Sequence, residues 1–406
     1  MTFREVQLQD VLDIQWGDTK TTKASYVPDG HLAYSATGPD GFLEKFDYDR
    51  EGIVLSAIGA NCGSTFFASG KWSCIKNTIR ILPKNDDIDL KFFLYMTKAP
   101  HFWPIRGSAQ PFISQTDIRE LYVQIPDISV QKAIGKILFE LEEKIYANNL
   151  LSKTLEDIAQ TIFKSWFIDF DPVKAKMVGE KPEGMDDATA ALFPDFMEES
   201  ELGLIPKGWN IKVISDFGKV VTGKTPSTKV PEFWGDQIPF VTIPDMHGQI
   251  LITSTARALS KQGADSQRSQ NVPAGSTMVT CIATPGLVGY ATKNCQTNQQ
   301  INSVIPGAEY SSKWLFWHLR GLIPTLIRNS GIGTVFANLN KSDFSKIKSI
   351  TPLRELRNAF NDVVEPIVEL LETLNHESEY LRDLRDGLLP RLISGELQIP
   401  EEMLAS

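Results

Sequence analysis

The string at residues 218–225 has the residue types and spacing of a phosphate-binding loop. It reads Gly-Lys-Val-Val-Thr-Gly-Lys-Thr and fits GxxxxGK[ST] at every fixed position. In such a loop, backbone N–H groups surround a phosphate and a helix begins at the last residue. Here Val220 and Val221 are β-branched, which favours a strand, and Pro231 would fall inside the required helix. Nucleotide binding through Gly218 to Thr225 is therefore kept as the alternative hypothesis.

Other patterns that carry catalysis are missing from the sequence. The four cysteines contain no CxxC pair, the five histidines have no metal-binding spacing, and Gly-x-Ser-x-Gly does not occur. The nearest match to an adenine-methyltransferase loop, Asp171-Pro172-Val173, lacks the second proline and the aromatic residue. The sequence therefore predicts a chain without a catalytic centre or a metal site. The low cysteine count favours a reducing compartment.

Charge is distributed unevenly along the 406 residues, whose net charge is −9. Residues 202–352 hold 15 lysines and arginines against 7 acidic residues, whereas residues 178–201 hold 1 against 8 and residues 353–406 hold 5 against 12. A local basic surface, not the total charge, decides whether a polyanion binds. The candidates for phosphate contacts are Lys20, Lys23, Lys71, Arg106, Lys224, Lys229, Arg257, Lys261, Arg268, Lys293, Arg328 and Lys341.

The chain repeats itself once. Residues 107–118 are echoed by residues 333–344 at an offset of 226, while Asp10 and Gly17 are matched by Asp216 and Gly223 at an offset of 206. The second copy therefore carries about 20 extra residues in its first third. A single period of this length indicates a duplicated domain, not a solenoid.

Each copy ends in a long helical pattern with apolar residues alternately three and four positions apart, the spacing of a coiled coil. Helices of roughly 35–40 residues would be about 50–60 Å long. Two such helices related by a pseudo-twofold axis would pair antiparallel, and Pro366 should kink the second helix or delay its start. Asn148 and Ser152 interrupt the first stripe and either fix its register or pack poorly. The stripes are Ile134, Leu138, Leu141, Ile145, Asn148, Ser152, Leu155, Ala159 and Ile162, and Phe360, Val364, Ile367, Leu371, Leu374, Ser378, Leu381, Arg385 and Leu388.

The expected fold is α+β. Two similar mixed α/β domains are joined by two long antiparallel coiled-coil helices as a pseudo-twofold internal repeat. The expected boundaries are 1–126 for the first globular domain, 127–177 for the first helix and its end, 178–204 for an acidic linker, 205–352 for the second globular domain, and 353–406 for the second helix and tail. No apolar run reaches the ~20 residues of a membrane span.

Several strings resemble the specificity subunit of type I restriction–modification enzymes. Residues 158–173, Ile-Ala-Gln-Thr-Ile-Phe-Lys-Ser-Trp-Phe-Ile-Asp-Phe-Asp-Pro-Val, resemble its central conserved region, and residues 381–397 resemble its C-terminal conserved region. Ile-Pro-Lys-Gly-Trp at 205–209 and Gly-Lys-Thr-Pro at 223–226 resemble the opening of its second target-recognition domain. The last string also accounts for the match to the phosphate-binding pattern at residues 218–225.

The resemblance implies a non-catalytic, cytoplasmic subunit that binds double-stranded DNA. Two target-recognition domains would each read half of a split, asymmetric site, and the helices would set the distance between the halves. Two modification subunits would carry S-adenosylmethionine and adenine-N6 methyl transfer, and restriction subunits would add ATP- and Mg-dependent cleavage, so this chain would bind no cofactor itself.

A coiled-coil scaffold that makes no DNA contact is a third hypothesis. The candidate docking residues are Phe163, Trp166, Phe167, Leu389, Arg391 and Leu392.

Overall fold

The computed structural model describes residues 2–282, 284–329 and 339–404, and the chain divides into two compact units. Unit 1 comprises Met1–Ala147 with Ser378–Ser406, and unit 2 comprises Asn148–Glu377. Each unit therefore combines a globular head with parts of two long helices. No helix within the described ranges has both the length and the apolar character that a membrane crossing requires.

Unit 1 opens with a head of short strands and helices. In chain order these are β1 (Phe3–Gln7), α1 (Leu8–Val11), β2 (Leu12–Trp16), β3 (His31–Ser35), β4 (Gly38–Leu43), β5 (Tyr48–Asp49), β6 (Gly52–Ser56), β7 (Thr65–Ala68), β8 (Lys71–Cys74), β9 (Thr78–Pro83), α2 (Leu90–Met96), α3 (Gln115–Arg119) and β10 (Tyr122–Pro126). The long helix α4 (Ile128–Phe167) then begins in unit 1 and ends in unit 2.

The core of the first head lies between an antiparallel sheet and its helices. The sheet has the order β2-β9-β6-β7, and β6 is buried along its whole length because it is central and covered on both faces. A second sheet, β4-β3-β8-β5, pairs β3 with β8 in parallel, and β1 pairs with β10. Helix α2 begins at a capped turn, since the Asp89 carboxylate accepts from the Phe92 N–H at 2.8 Å.

Unit 2 contains the second head and the segment that precedes it. Its elements are α5 (Asp171–Met177), α6 (Asp187–Ala191), β11 (Met197–Ser200), β12 (Gly203–Pro206), β13 (Asn210–Val213), β14 (Gly218–Thr222), β15 (Trp234–Gly235), β16 (Ile238–Val241), β17 (Leu251–Ile252), β18 (Ala258–Leu259), α7 (Lys261–Asp265), β19 (Thr277–Thr280), β20 (Val288–Ala291), β21 (Gln296–Thr297), β22 (Ile301–Pro306), α8 (Ser312–Asn329), α9 (Lys341–Ser345) and β23 (Lys348–Thr351). The second long helix, α10 (Arg354–Ile393), begins here and ends in unit 1.

The two heads share one strand plan, which confirms the duplication. The order β2-β9-β6-β7 of the first head recurs as β14-β22-β19-β20 in the second, and the parallel pair β3 with β8 recurs as β16 with β21. Strand β17 extends the larger sheet of the second head. It lies, with α7, between β14 and β19, where the extra residues of the second copy are located. Of the repeated string at 333–344, only residues from 339 onward lie within the described part.

The heptad stripes form the seams that the sequence predicts. In unit 1, Ile134 and Leu138 of α4 share a core with Leu388 and Leu392 of α10. In unit 2, Ala159 and Phe163 of α4 share a core with Phe360 and Val364 of α10. The early half of one helix thus packs with the late half of the other within each unit, as an antiparallel pair requires. Both helices are 40 residues long, at the upper end of the expected length.

Pro366 does not delay the second helix. Helix α10 begins at Arg354 and continues through Pro366, which is exposed, while Val364 and Val368 on either side are buried. A proline inside a helix removes one backbone hydrogen bond and costs about 3 kcal/mol. The buried seam on the opposite side of the helix offsets that cost, so the expectation of a late start is wrong.

The segment 178–204 is folded onto unit 2, so its description as a linker needs correction. It contains α6 and the antiparallel hairpin β11–β12. Phe193 is buried edge-on against Trp166 at 5.3 Å between ring centroids, and the Lys176 ammonium donates to the carbonyls of Ala190 and Phe193. A buried aromatic ring and hydrogen bonds from Lys176 therefore hold this acidic segment on unit 2.

The predicted helix domains, 127–177 and 353–406, are not separate units. Each helix is divided between the two units near its middle, because each half packs into the core of a different head. Strand β10 ends at Pro126 and strand β23 ends at Thr351, next to the expected head boundaries at 126 and 352.

Candidate nucleic-acid interface

The basic surface of unit 2 is organised by the loop that follows β14. Gly223 can only be glycine, because a Cβ there would collide with the carbonyl oxygen of Asn298. Next in the chain, the Lys224 N–H donates to the Thr297 carbonyl at 2.9 Å, and the Gln267 amide donates to the Lys224 carbonyl at 2.7 Å. The backbone is thus fixed on both sides of Lys224, while its side chain is exposed.

This geometry contradicts the nucleotide-binding alternative. Residues Gly218–Thr222 form strand β14, which pairs antiparallel with β22. The Lys224 N–H, which a phosphate would need, is already bonded to Thr297, and Pro231–Phe233 forms a short 3-10 turn where a phosphate-binding loop would continue into an α-helix. Residues 218–225 match the sequence pattern of a phosphate-binding loop, but their backbone forms a strand and not a phosphate-binding turn.

Arg257 is held against an aromatic ring beside this loop. Its guanidinium carbon lies 3.5 Å from the centroid of the Trp234 ring, and the indole N–H of Trp234 donates to the Ser227 carbonyl at 3.3 Å. Trp234 packs edge-on against Phe240 at 5.3 Å. A cation–π contact of this kind fixes a guanidinium while leaving its N–H donors free for an anion.

A short turn carries Gln299 next to the same loop. The Thr225 hydroxyl donates to the Gln299 Oε1 at 2.7 Å, and the Gln299 side chain is exposed. Asn298 stabilises the turn, because its amide donates to Gln300 Oε1 at 3.0 Å and its backbone N–H donates to the Val241 carbonyl at 3.1 Å. Gln299 is not among the residues predicted from the sequence; the four amide side chains among residues 296–300 are the available signal.

The remaining basic candidates of unit 2 differ in whether their side chains are already bonded to other residues of the chain. Lys229, Lys261 and Lys341 are exposed. Lys293 is exposed and reaches the Thr253 carbonyl at 3.4 Å, whereas Arg268 forms an ion pair with Asp265 at 3.0 Å. Arg328 lies in α8, and its side chain is outside the described part of the structure, as is the glycine-containing stretch at 331–333.

In unit 1, the basic candidates are largely engaged by the chain itself. Lys23 pairs with Asp40 at 2.5 Å, and Arg106 pairs with Asp117 at 2.6 Å. Burial alone would raise the pKa of Asp40, but hydrogen bonds from Lys23 and neighbouring hydroxyl groups outweigh it and hold that pKa well below its usual range. Lys71 lies over the Phe46 ring at 4.9 Å. Lys20 is exposed, which leaves it the freest of these four cations.

The aromatic docking candidates are enclosed within the chain, so this part of the prediction needs correction. Phe163, Trp166 and Phe167 are buried in the unit 2 core, each in ring contact with Phe360. Leu392 is buried in unit 1. A side chain already covered by its own chain offers no surface to another protein.

Two of the docking candidates lie nearer the surface of unit 1. Leu389 is half-buried against the core, and Arg391 is exposed and pairs with Glu396 at 3.0 Å.

The long helices instead expose other apolar residues. In unit 2, α4 exposes Leu150, Leu151 and Ile158, and α10 exposes Val363 and Leu370. These positions lie outside the heptad stripes that form the seams. Apolar side chains that a seam does not use are the signal by which the sequence could have marked an outer contact surface.

Burial holds three thiols and one imidazole of the described residues in their neutral forms. Burial raises the pKa of the Cys74 and Cys295 thiols to about 12, and that of Cys281 to about 11, so all three stay protonated near neutrality. Burial, with the Arg357 charge, lowers the pKa of His318 to about 3. Within the described residues, no three His, Cys, Asp or Glu side chains converge in a way that could hold a metal ion.

Comparison with known proteins gives a consistent match. The family model described as type I restriction modification DNA specificity domain matches residues 2–157 and 206–377. The chain is 39% identical over 395 residues to the type I restriction enzyme HindI specificity subunit of Haemophilus influenzae, covering 85% of this chain and 86% of that protein. It is 27% identical over 433 residues to the type I restriction enzyme MjaIX specificity subunit of Methanocaldococcus jannaschii, covering 97% and 93%.

A solved structure shares the fold. The crystal structure of a type I restriction–modification system S subunit from M. genitalium superposes with a TM-score of 0.62 at 14% identity, covering 97% of this chain and 96% of that one. At this identity the likeness concerns the fold alone.

Proposed function

Because this chain belongs to the type I restriction–modification DNA specificity family, and is therefore a non-catalytic subunit that recognises DNA sequence, we propose that its two heads each read one half of a split, asymmetric site. The shared strand plan of the heads supports this proposal. Two heads with the same fold but different surface side chains can each recognise a different half of an asymmetric, two-part DNA sequence. The helices α4 and α10 would set the spacer between the halves, of order one helical turn of DNA.

In unit 2, Lys224, Lys229 and Arg257 would contact phosphates and fix the head on the duplex, since phosphate contacts position a protein without specifying sequence. Unit 1 would rely less on charge, because Lys23 and Arg106 are neutralised by carboxylates of the same chain. Lys20 and Lys71 would be its main phosphate contacts. Specificity would come from side chains that reach base edges in the grooves.

The chain would act in the cytoplasm within a larger complex. Two modification subunits would supply S-adenosylmethionine and adenine-N6 methyl transfer, and restriction subunits would supply ATP- and Mg-dependent cleavage. The exposed apolar residues Leu150, Leu151 and Ile158 are suited to dock such subunits. Replacing Leu150 and Leu151 with glutamate should reduce the modification subunit that co-purifies with the chain; unchanged co-purification would exclude this surface.

The test is a map of methylated adenines in the source genome, with and without this chain. We expect a two-part motif that disappears when the chain is deleted. Replacing residues 205–352 with the corresponding head of a relative should change one half of the motif and leave the other half and the spacer intact. A change in both halves, or methylation that does not depend on the chain, would contradict the proposal.

A further inference from the structure

Gln299 combines exposure with a fixed orientation. Its turn is connected to the loop after β14 by two contacts: the Lys224 N–H to the Thr297 carbonyl, and the Thr225 hydroxyl to Gln299 Oε1 at 2.7 Å. An exposed glutamine usually samples many rotamers, and ordering it on binding costs free energy. Here Thr225 holds the amide before any ligand arrives.

The turn below Gln299 is itself rigid. Asn298 is buried and makes reciprocal contacts with Gln300, accepting from its N–H at 3.1 Å and donating to its Oε1 at 3.0 Å. Buried Gln296 donates to the Ala264 carbonyl at 2.9 Å and accepts from Gln267 at 2.7 Å. This amide network supports the backbone that carries Gln299 from inside the head.

The unoccupied hydrogen-bond donors and acceptor of the Gln299 amide match the major-groove edge of one base. With one lone pair of Oε1 occupied by Thr225, Gln299 still offers the second lone pair of Oε1 and both hydrogens of Nε2. Adenine presents an N6 amino donor beside the N7 acceptor in the major groove, which matches an acceptor beside a donor. Guanine presents two acceptors there, O6 and N7, so the oxygen of the amide would face another oxygen.

The surroundings suit a duplex backbone. Lys224 and Lys229 are exposed on the adjoining loop, and neither has a carboxylate partner among the described residues. Arg257 lies over Trp234, whose indole N–H bonds to Ser227 of the same loop. Cations around a fixed amide can bind phosphates and hold the base edge in front of it.

We propose that Gln299, oriented by Thr225, reads an adenine through its major-groove edge in the half-site bound by unit 2. The proposal rests on the DNA-recognition function proposed above and assigns to one side chain a specificity that the fold alone does not. Thr225 acts as a positioning residue, since its hydroxyl donates to Gln299 Oε1.

The experiment uses the assembled complex with its modification subunits and duplexes carrying the mapped motif, each changed at one position. With Gln299→Ala, discrimination against the wrong base should fall by roughly 5- to 150-fold at a single adenine of one half-site, the range expected for a bidentate base contact. The other positions should keep their discrimination. Thr225→Val should lose part of it at that same adenine, and Thr225→Ser should retain it.

Gln262→Ala is the matched control, since Gln262 is exposed on α7 of the same head. Unchanged discrimination at every position in Gln299→Ala would overturn the assignment to Gln299. An equal loss at all positions would also overturn it, because that pattern belongs to a general binding residue. A wild-type complex with no two-part motif would instead defeat the proposed function itself.

Discussion

A lysine on a flexible stem and an arginine laid over an aromatic ring lose different amounts of freedom when they contact a phosphate. Lys224 has a fixed backbone and a mobile ammonium, whereas the guanidinium of Arg257 is already placed by Trp234. Less side-chain entropy is therefore lost when Arg257 binds. At the scale of single residues, Arg257 should be the stronger of the two anchors.

We expect Arg257→Ala to weaken DNA binding by the assembled complex for every sequence alike. The slope of log K against log salt should become shallower by about 0.9, the value for one lost phosphate contact on duplex DNA. Binding titrations from low to moderate salt measure both quantities. Lys181→Ala, an exposed substitution in the acidic segment that removes the ion pair with Asp187, is the control and should leave the slope unchanged. A slope unaffected by Arg257→Ala would remove that residue from the interface.

At the scale of residues, the sequence shows where the cations lie but not which side chains they contact after folding. Lys224 and Arg257 could be chosen because they lie in the basic segment, but the Asp40 that neutralises Lys23 is 17 residues away in the chain and adjacent only after folding. Gln299 went unnoticed because reading a base edge depends on the geometry of a turn. The sequence predicts Phe163 and Trp166 as docking residues, but both are buried, because a sequence does not distinguish the chain's own core from a surface for a partner.

At the scale of elements, one carboxylate joins three helices of unit 1. Glu142 of α4 accepts from the Tyr95 hydroxyl of α2 at 2.8 Å, from Lys98 at 2.6 Å, and from Arg385 of α10 at 3.2 Å. Burial raises the pKa of Glu142, but the hydrogen bonds and charges of these partners outweigh it, so the pKa lies below its ordinary value. The ionised carboxylate therefore stabilises the packing of the head on both helices.

Glu142→Gln should lower the free energy of unfolding of unit 1 by roughly 1–3 kcal/mol near neutral pH, because it removes charge-assisted hydrogen bonds. A pKa that is lower in the folded state gives stability above the ordinary value of about 4.5 and loses it as the pH falls further. The difference from wild type should therefore shrink below that pH. Denaturant titrations at pH 7 and pH 4 test this. Glu143→Gln, at the exposed neighbouring position, is the control, and an equal effect of both substitutions would contradict the assigned role.

The helices were the most predictable elements, because a stripe repeated over many turns survives local irregularities. Pro366 predicts a kink or a late start of the second helix, but α10 begins at Arg354, and Pro366 is exposed while Val364 and Val368 are buried. The acidic composition of residues 178–204 predicts a linker, but Phe193 packs on Trp166 and Lys176 donates to two carbonyls of the segment. Composition gives the average environment of a segment, whereas a few buried contacts decide where it packs.

At the scale of the whole molecule, the proposed role of α4 and α10 is to fix the spacer. Adding one heptad to each helix, after Ala147 and after Glu377, should lengthen the paired segment by about 10 Å. The preferred spacer should then grow by roughly three base pairs, at 3.4 Å per pair. Mapping methylated adenines in cells that carry the variant measures the spacer. Adding the heptad to α4 alone places the seams out of register and should abolish site-specific methylation. An unchanged spacer in the doubly extended protein would disprove the role.

The division of the chain between the units also affects the order in which it can mature on the ribosome. Unit 2 is one uninterrupted stretch and has all its residues once Glu377 has emerged. The first head, although made earliest, needs Leu392 and Ile399 from the far end of the chain to complete its core. It must wait, partly uncovered, while the rest is synthesised. Nonsense or frameshift mutations between the codons of Glu377 and Leu392 should therefore harm the first head before unit 2.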